Sequence, residues 1–180
     1  AAEPTSPAVT LKQYSSAPEM TIDPAKQYLA TVKMAEGGEF VIELFADKAP
    51  VTVNSFVFLS QQGWFDGVTF HRVMPGFVAQ SGDPSGSGMG GPGYYFPNET
   101  SDLKYDRAGM VGMANAGQDS NGSQFFITFT ALPDLDGNYT IFGEVIEGME
   151  TLEKLTARDP SQQMGLPPGD KILSITIKEK

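Results

Sequence analysis

The 180-residue chain has no cysteine, one histidine and one tryptophan. The first absence excludes disulfides, thiol nucleophiles and sulfur-ligated metals. A single histidine, His71, makes a zinc site improbable, because such sites draw on several His or Cys ligands. No apolar run approaches the roughly 20 residues that a membrane-crossing helix needs. No Gly-x-Ser-x-Gly is present, so the nucleophile elbow of many hydrolases is missing. Positive charge is scarce as well, with 12 Lys and Arg against 22 Asp and Glu and a formal net charge of −10. The acidic residues are scattered rather than blocked, which argues against nucleic-acid or anionic-membrane partners. Glycine and proline are plentiful instead, at 20 and 13, and favour a turn-rich β architecture over a helical bundle. The length suits one domain with a full hydrophobic core.

Ala1 to about Pro24 is rich in Ala, Pro, Ser and Thr without sustained periodicity. Residues 1–26 therefore read as a flexible arm or tether, and residues 27–180 as the folded domain. A chain opening on Ala1-Ala2-Glu3-Pro4 fits the product of signal-peptide removal, so export (periplasmic, secreted or tethered) is slightly favoured over the cytoplasm. From Gln27 to Ala35 apolar and polar residues alternate. Glu36-Gly37-Gly38 turns the chain, and Glu39–Phe45 alternates again with Phe40, Ile42 and Leu44 on one face, which predicts a β-hairpin. Pro50 suits a first helical turn, and Val53, Phe56, Val57 and Ser60 follow helical spacing up to Gly63. The β-branched residues there leave propensity ambivalent, and the spacing predicts a helix. Strands are expected at Met110–Ala114, Gln124–Phe129, Tyr139–Glu147 and around Leu173, Ile175 and Ile177. A short amphipathic helix is expected at Gly148–Ala157. About eight strands and two helices fit a mainly β fold, a closed eight-stranded antiparallel barrel capped by two α-helices. The bulky inward set Phe40, Ile42, Leu44, Phe126 and Phe142 suggests a filled core rather than a ligand-holding lumen.

The stretch Val68–Asp83 concentrates the chemistry. Two strand-like runs, Val68–Met74 and Phe77–Ser81, flank a Pro75-Gly76 turn. Alternation puts Arg72 and Met74 on one face and His71 and Val73 on the other. A guanidinium, the ring of Phe77 and the amide of Gln80 then form a compact patch that suits a peptide or another neutral polar ligand with an apolar part. Equally, a buried hairpin whose arginine merely pairs with a carboxylate would look the same. His71, on the face opposite Arg72, reads as a packed core histidine. Gly86-Ser87-Gly88-Met89-Gly90-Gly91 matches G-x-G-x-x-G in form, but no helix follows it, so it reads as a loop and not a dinucleotide site. Asp134 and Asp136 lack calcium-loop spacing and, with Asp102 and Asp106, read as solvated turn residues.

Three segments together are specific. Phe70-His71-Arg72-Val73-Met74-Pro75-Gly76-Phe77-Val78-Ala79-Gln80-Ser81-Gly82-Asp83 resembles the signature of the cyclophilin family of peptidyl-prolyl cis-trans isomerases. Met113-Ala114-Asn115-Ala116-Gly117 with Asn121-Gly122-Ser123-Gln124-Phe125-Phe126-Ile127 is similar to its second signature. Leu135-Asp136-Gly137 with Ile141-Phe142-Gly143-Glu144-Val145 is similar to its third. Glu43–Pro50 resembles the family's early strand-to-helix segment, and the lead Trp64-Phe65-Asp66-Gly67 resembles its compact, bacterial-type members. The resemblance covers about Gln27 to Lys180.

The resemblance implies an eight-stranded barrel with two capping helices and X-Pro peptide bonds as substrate. Arg72 falls on the catalytic arginine, with Gln80 and Phe77 beside it. Val78, Ala114, Asn115, Gln124, Phe126, Leu135 and Tyr139 fall on substrate-binding positions: Phe77, Val78, Phe126 and Leu135 as the proline pocket, Gln80, Ala114, Asn115 and Gln124 as holders of the substrate backbone. Gly117 to Gly122 would line the groove for the residue ahead of the proline. Asp134 stands where a tryptophan that contacts cyclosporin is common, which implies weak cyclosporin binding; Tyr139 replaces a histidine at the pocket rim. The implied partners are proline-containing peptides and folding proteins, the implied chain is a monomer, and no metal or cofactor is required. A non-catalytic binding or chaperone module for proline-containing segments is the alternative, and it would be marked by loss of Arg72 or of the aromatic pocket, neither of which is lost.

Overall fold

The computed structural model describes residues 12–162 and 164–180. Eight strands run in the order β1 (Tyr28–Met34), β2 (Glu39–Leu44), β3 (Arg72–Met74), β4 (Val78–Ser81), β5 (Met110–Met113), β6 (Phe125–Thr128), β7 (Ile141–Glu147) and β8 (Ile172–Glu179). Helix α1 (Pro50–Gln61) follows β2 and helix α2 (Met149–Glu153) follows β7. The strands form one antiparallel sheet in the order β3-β4-β6-β5-β7-β2-β1-β8, curled so that its edges approach. At the seam the chain ahead of β3 meets the chain around the start of β8: Phe70 N–H donates to Asp170 O at 2.9 Å, and Ile172 N–H donates to Val68 O at 2.9 Å. The outer side of β3 is taken by Arg158, which exchanges both backbone hydrogen bonds with Val73. The expected mainly β fold of eight antiparallel strands and two helices is the one observed.

The alternation read in β1 and β2 places Ala30, Val32, Phe40, Ile42 and Leu44 in the core. There they meet an aromatic cluster in which Phe56 of α1 and Phe65 both stand edge-on to Phe125, at 5.6 and 5.7 Å. Each such side chain withdrawn from water contributes roughly 1.5–3 kcal/mol. Three details depart from the expected elements. The run Val68–Met74 is a strand only from Arg72, because Thr69 pairs across the seam with Lys171. A bulge at Lys33 and Met34 shifts the phase of β8, so Ile172 joins Ile175 in the core and Leu173 lies between environments. Helix α2 stops at Glu153 rather than Ala157, since the chain is drawn on to pair Arg158 with Val73.

Helix α1 is buried almost all round, which explains why its sequence is not amphipathic. Ala49 offers no side-chain cap. The Glu99 carboxylate supplies one from elsewhere, accepting from Val51 N–H at 3.1 Å and Thr52 N–H at 2.7 Å. On its outer side α1 carries the segment before β1. Asn54 Oδ1 accepts from the N–H groups of Thr21 and Ile22 at 3.0 and 3.3 Å, and Ile22 is buried. Within residues 13–26, read as part of the arm, Tyr14, Thr21 and Ile22 make contacts with the domain while Met20 and Ala25 stay exposed. The Ala1–Pro4 opening, on which export was favoured, lies outside the described residues, as does the rest of the arm up to residue 11.

Candidate active site

Strand pairing assembles the site. Arg72 of β3 lies opposite Gln80 of β4, Gln80 opposite Phe126 of β6, and Phe126 opposite Gly112 of β5. Directly paired residues share a face of the sheet, so a guanidinium, an amide and a phenyl ring stand in one row on the side away from the core. The intervening residues Val73, Ala79, Phe125 and Ile127 point inward. Phe126, expected among the inward set, faces the groove instead. It belongs to a second apolar cluster with Val78, Tyr105, Met110 and Ile141.

Nine of the residues named from the sequence line one cavity of about 400 Å³: Arg72, Phe77, Val78, Gln80, Ala114, Asn115, Phe126, Leu135 and Tyr139. Val78 and Phe126 are buried and make its apolar floor. Tyr139 stands edge-on to Phe126 with ring centres 5.8 Å apart, forming a side wall. Phe77, in the turn before β4, is 38 % exposed, and the Arg72 guanidinium lies 5.7 Å from its ring centre. A cation held over an aromatic face keeps its plane fixed while its N–H edges stay available.

Gln124 lines an adjoining cavity of about 260 Å³ that shares Gln80, Ala114 and Asn115 with the first. Its Oε1 accepts from Gln80 Nε2 at 3.0 Å, which ties the two amides together. Of the segment expected to line the groove for the preceding residue, Ser120 and Gly122 do so and Gly117, Gln118, Asp119 and the buried Asn121 do not. Gly117 carbonyl and Ser120 close a turn on themselves, which holds that tip away from the cavity.

His71 is buried and its Nδ1 has no hydrogen-bond partner. Burial holds its pKa below the usual 6.5; the nearby Asp83 carboxylate opposes that shift, and Arg158 and Arg72 reinforce it. It sits on the inward face, as alternation predicts, away from the cavity. Asp134 lies exposed in a single 3-10 turn, Pro133–Leu135, whose Leu135 reaches the cavity. The other turn carboxylates have partners. Asp102 pairs with Lys48 at 2.8 Å, Asp106 with Arg107 at 2.6 Å, and Asp136 accepts from Tyr105 N–H at 2.7 Å. Among the described residues, no three His, Cys, Asp or Glu side chains group as metal ligands would.

One supporting residue is absent from the sequence reading. Tyr105 is fully buried and stacked on Phe126 with ring centres 5.6 Å apart. Its hydroxyl donates to the carbonyls of Tyr139 and Thr140 at 3.2 and 3.4 Å, and burial pushes its pKa up. It underlies both the floor and the wall. The available signal was Gly112: the stacked ring lies where any side chain on that residue would stand.

The model of the family described as cyclophilin type peptidyl-prolyl cis-trans isomerase matches residues 29–177. The chain belongs to this family. Peptidyl-prolyl cis-trans isomerase ppi1 of Schizosaccharomyces pombe is 48% identical over 122 residues, which are 66% of this chain and 79% of that protein. Peptidyl-prolyl cis-trans isomerase-like 2 of Rhizopus delemar is also 48% identical over 122 residues and 66% of this chain, but the chain spans only 23% of that relative's length. In three dimensions the cyclophilin resembles the crystal structure of a Cryptosporidium parvum cyclophilin type peptidyl-prolyl cis-trans isomerase in the presence of the dipeptide Ala-Pro. The TM-score is 0.75 at 36% identity, over 83% of this chain and 98% of that one.

Proposed function

We propose that this cyclophilin isomerises X-Pro peptide bonds, with Arg72 as the catalytic group. Rotation about a peptide bond must break amide resonance at a barrier of about 18–20 kcal/mol. The two X-Pro isomers are close in energy yet exchange in tens to hundreds of seconds. At the twisted state the proline nitrogen is pyramidal and carries a free lone pair. A fixed donor aimed at that nitrogen stabilises the twisted state over both planar states, which is the condition for catalysis. The planar guanidinium of Arg72 is steadied by the Phe77 ring. Phe126, Val78, Leu135 and Tyr139 hold the proline ring while the preceding carbonyl swings. Gln80, Ala114, Asn115 and Gln124 hold the backbone ahead of it. No nucleophile or general base takes part, which suits a site whose nearest histidine is buried on the opposite face. Proline-containing segments of folding proteins are the substrates that fit, and a folding-assistance role, monomeric action and the compact, bacterial-type character follow as parts of this proposal.

The observation that carries the reading is the row Arg72–Gln80–Phe126 across three strands, bordering an apolar cavity of about 400 Å³. The test is a protease-coupled or exchange-NMR assay on an X-Pro peptide. Arg72→Ala and Arg72→Lys should lose on the order of ten- to a hundredfold in rate, the worth of one charge-assisted hydrogen bond of roughly 1.5–3 kcal/mol. Full activity in Arg72→Ala would remove Arg72 from the mechanism. Peptide binding by the wild type without catalysed exchange would favour the non-catalytic binding module.

A further inference from the structure

The segment ahead of β1 reaches the groove through a chain of contacts. Tyr14 packs edge-on to Phe58 with ring centres 5.1 Å apart and lies 6.1 and 6.5 Å from Trp64 and Tyr94. Its backbone N–H donates to Pro92 O at 2.8 Å, and Gln13 Nε2 donates to Gly91 O at 2.9 Å. Both acceptors lie in the loop 83–93. The start of that loop is organised by the fully buried Asp83, whose carboxylate accepts from Ser85, Gly88 and Gly90 N–H at 2.8, 2.7 and 3.1 Å. Asp83 thus holds Gly88 and Gly90 from one side, and Gln13 and Tyr14 hold the next residues, Gly91 and Pro92, from the other. The carbonyls of Gly88 and Gly90 in turn accept both bonds of Gln124 Nε2, at 2.9 and 3.0 Å.

Those two carbonyls decide which end of the Gln124 amide faces the groove. With Nε2 committed to the loop, Oε1 is left to accept from Gln80 Nε2, and Gln80 is left with its carbonyl oxygen for a ligand. If the loop withdraws, Gln124 loses the acceptors that orient it, and an amide flip inverts the donor and acceptor pattern presented to a peptide. We propose that Gln13 and Tyr14, which precede the residues matched by the family model, are positioning residues that clamp the loop 83–93 and thereby orient Gln124 and Gln80 for the peptide backbone. This rests on the reading of those two glutamines as backbone-holding groups. The geometry assigns the clamp to peptide binding and not to bond rotation, because neither contact reaches Arg72.

The test uses the full chain. The side-chain amide resonance of Gln124 is followed by NMR without substrate, and kcat and KM for an extended X-Pro peptide are measured by exchange NMR. Tyr14→Ala should shift or split the Gln124 resonance and raise KM about fivefold, the loss of one ordinary hydrogen bond, with kcat within about twofold of the wild type. Tyr14→Phe, which keeps the ring and the backbone donor, should behave as the wild type. Gln13→Ala, an exposed change that leaves the aromatic contacts alone, should act in the same direction more weakly, and it decides the matter should Tyr14→Ala fold poorly. A Gln124 resonance and KM unchanged in both variants, even with a lowered melting temperature, would overturn the proposal. The resonance is read without catalysis, so an inactive wild type would count against the isomerase reading and not against the clamp.

Discussion

Replacing Gly112 by alanine places a methyl group against the two rings that support the proposed proline pocket. A Cβ there would stand 2.7 Å from Phe126 Cζ and 3.0 Å from Tyr105 Cζ, and closer still to the Tyr105 hydroxyl. Relaxed carbon–carbon contacts lie at about 3.5–4.0 Å, so the rings must retreat by about 1 Å. The Tyr105 hydroxyl must give up its bonds to the carbonyls of Tyr139 and Thr140, and Phe126, stacked on that ring, is displaced toward the cavity. Overpacking of this kind costs about 1–3 kcal/mol of stability. A shift of about 1 Å in a substrate-positioning group can cost on the order of a hundredfold in rate. We therefore expect Gly112→Ala to lower the denaturation midpoint modestly and kcat/KM by on the order of ten- to a hundredfold at temperatures where the protein is folded. Gly143→Ala is the control. Its Cβ would meet Glu43 O at 2.7 Å and Ile42 Cγ2 at 2.8 Å, away from the groove, so it should lose stability and keep kcat/KM. Wild-type kcat/KM in folded Gly112→Ala, measured alongside that control, would refute the view that Tyr105 and Phe126 together set the pocket.

Three further outcomes are expected. His71 has a folded-state pKa below its unfolded 6.5, so its contribution to stability is full above about pH 6.5 and lost as the unfolded state protonates below it; thermal midpoints should fall from pH 7 toward 5, and His71→Phe should flatten that slope. An identical slope in that variant would exclude His71 as its source. Glu99→Ala removes the remote acceptor for Val51 and Thr52 N–H and should cost about 0.5–2 kcal/mol by chemical denaturation without changing isomerase activity. Asp134→Trp adds an indole beside the Leu135 edge of the cavity and should tighten cyclosporin binding by on the order of tenfold, as read by calorimetry, with peptide isomerisation little changed.

Much of the fold was legible because its signals are local. Alternation in Gln27–Ala35 and Glu39–Phe45, the Pro75-Gly76 turn and the single start at Pro50 all act within a few residues. The face of Arg72 and the inward position of His71 follow from the same period of two. What brings Arg72 next to Phe126 is pairing between strands more than forty residues apart in sequence, which no local pattern encodes; only the resemblance joined those segments. Tyr105 was missed for a related reason. It stands in the polar run Ser101–Asp106, and its importance comes from a glycine on a neighbouring strand. The N-terminal segment makes its contacts at isolated positions. Its proline-rich composition argues for a tether, while Tyr14 and Ile22 are anchored singly, at a spacing that matches neither helix nor strand.

The pairing of Arg158 with Val73 has a consequence for how any polypeptide is held. Strand β3 is three residues long, and only Val73 directs its backbone groups away from β4; Arg158 occupies both. The strand that carries Arg72 therefore cannot accept an extended chain by strand addition, the route that gives many peptide-binding sheets their affinity. On the proposed reading, a segment lying in this groove has its backbone held by the side-chain amides of Gln80, Asn115 and Gln124 instead. Such contacts are few and short in reach, so the proposed substrate would be gripped over a handful of residues and released readily.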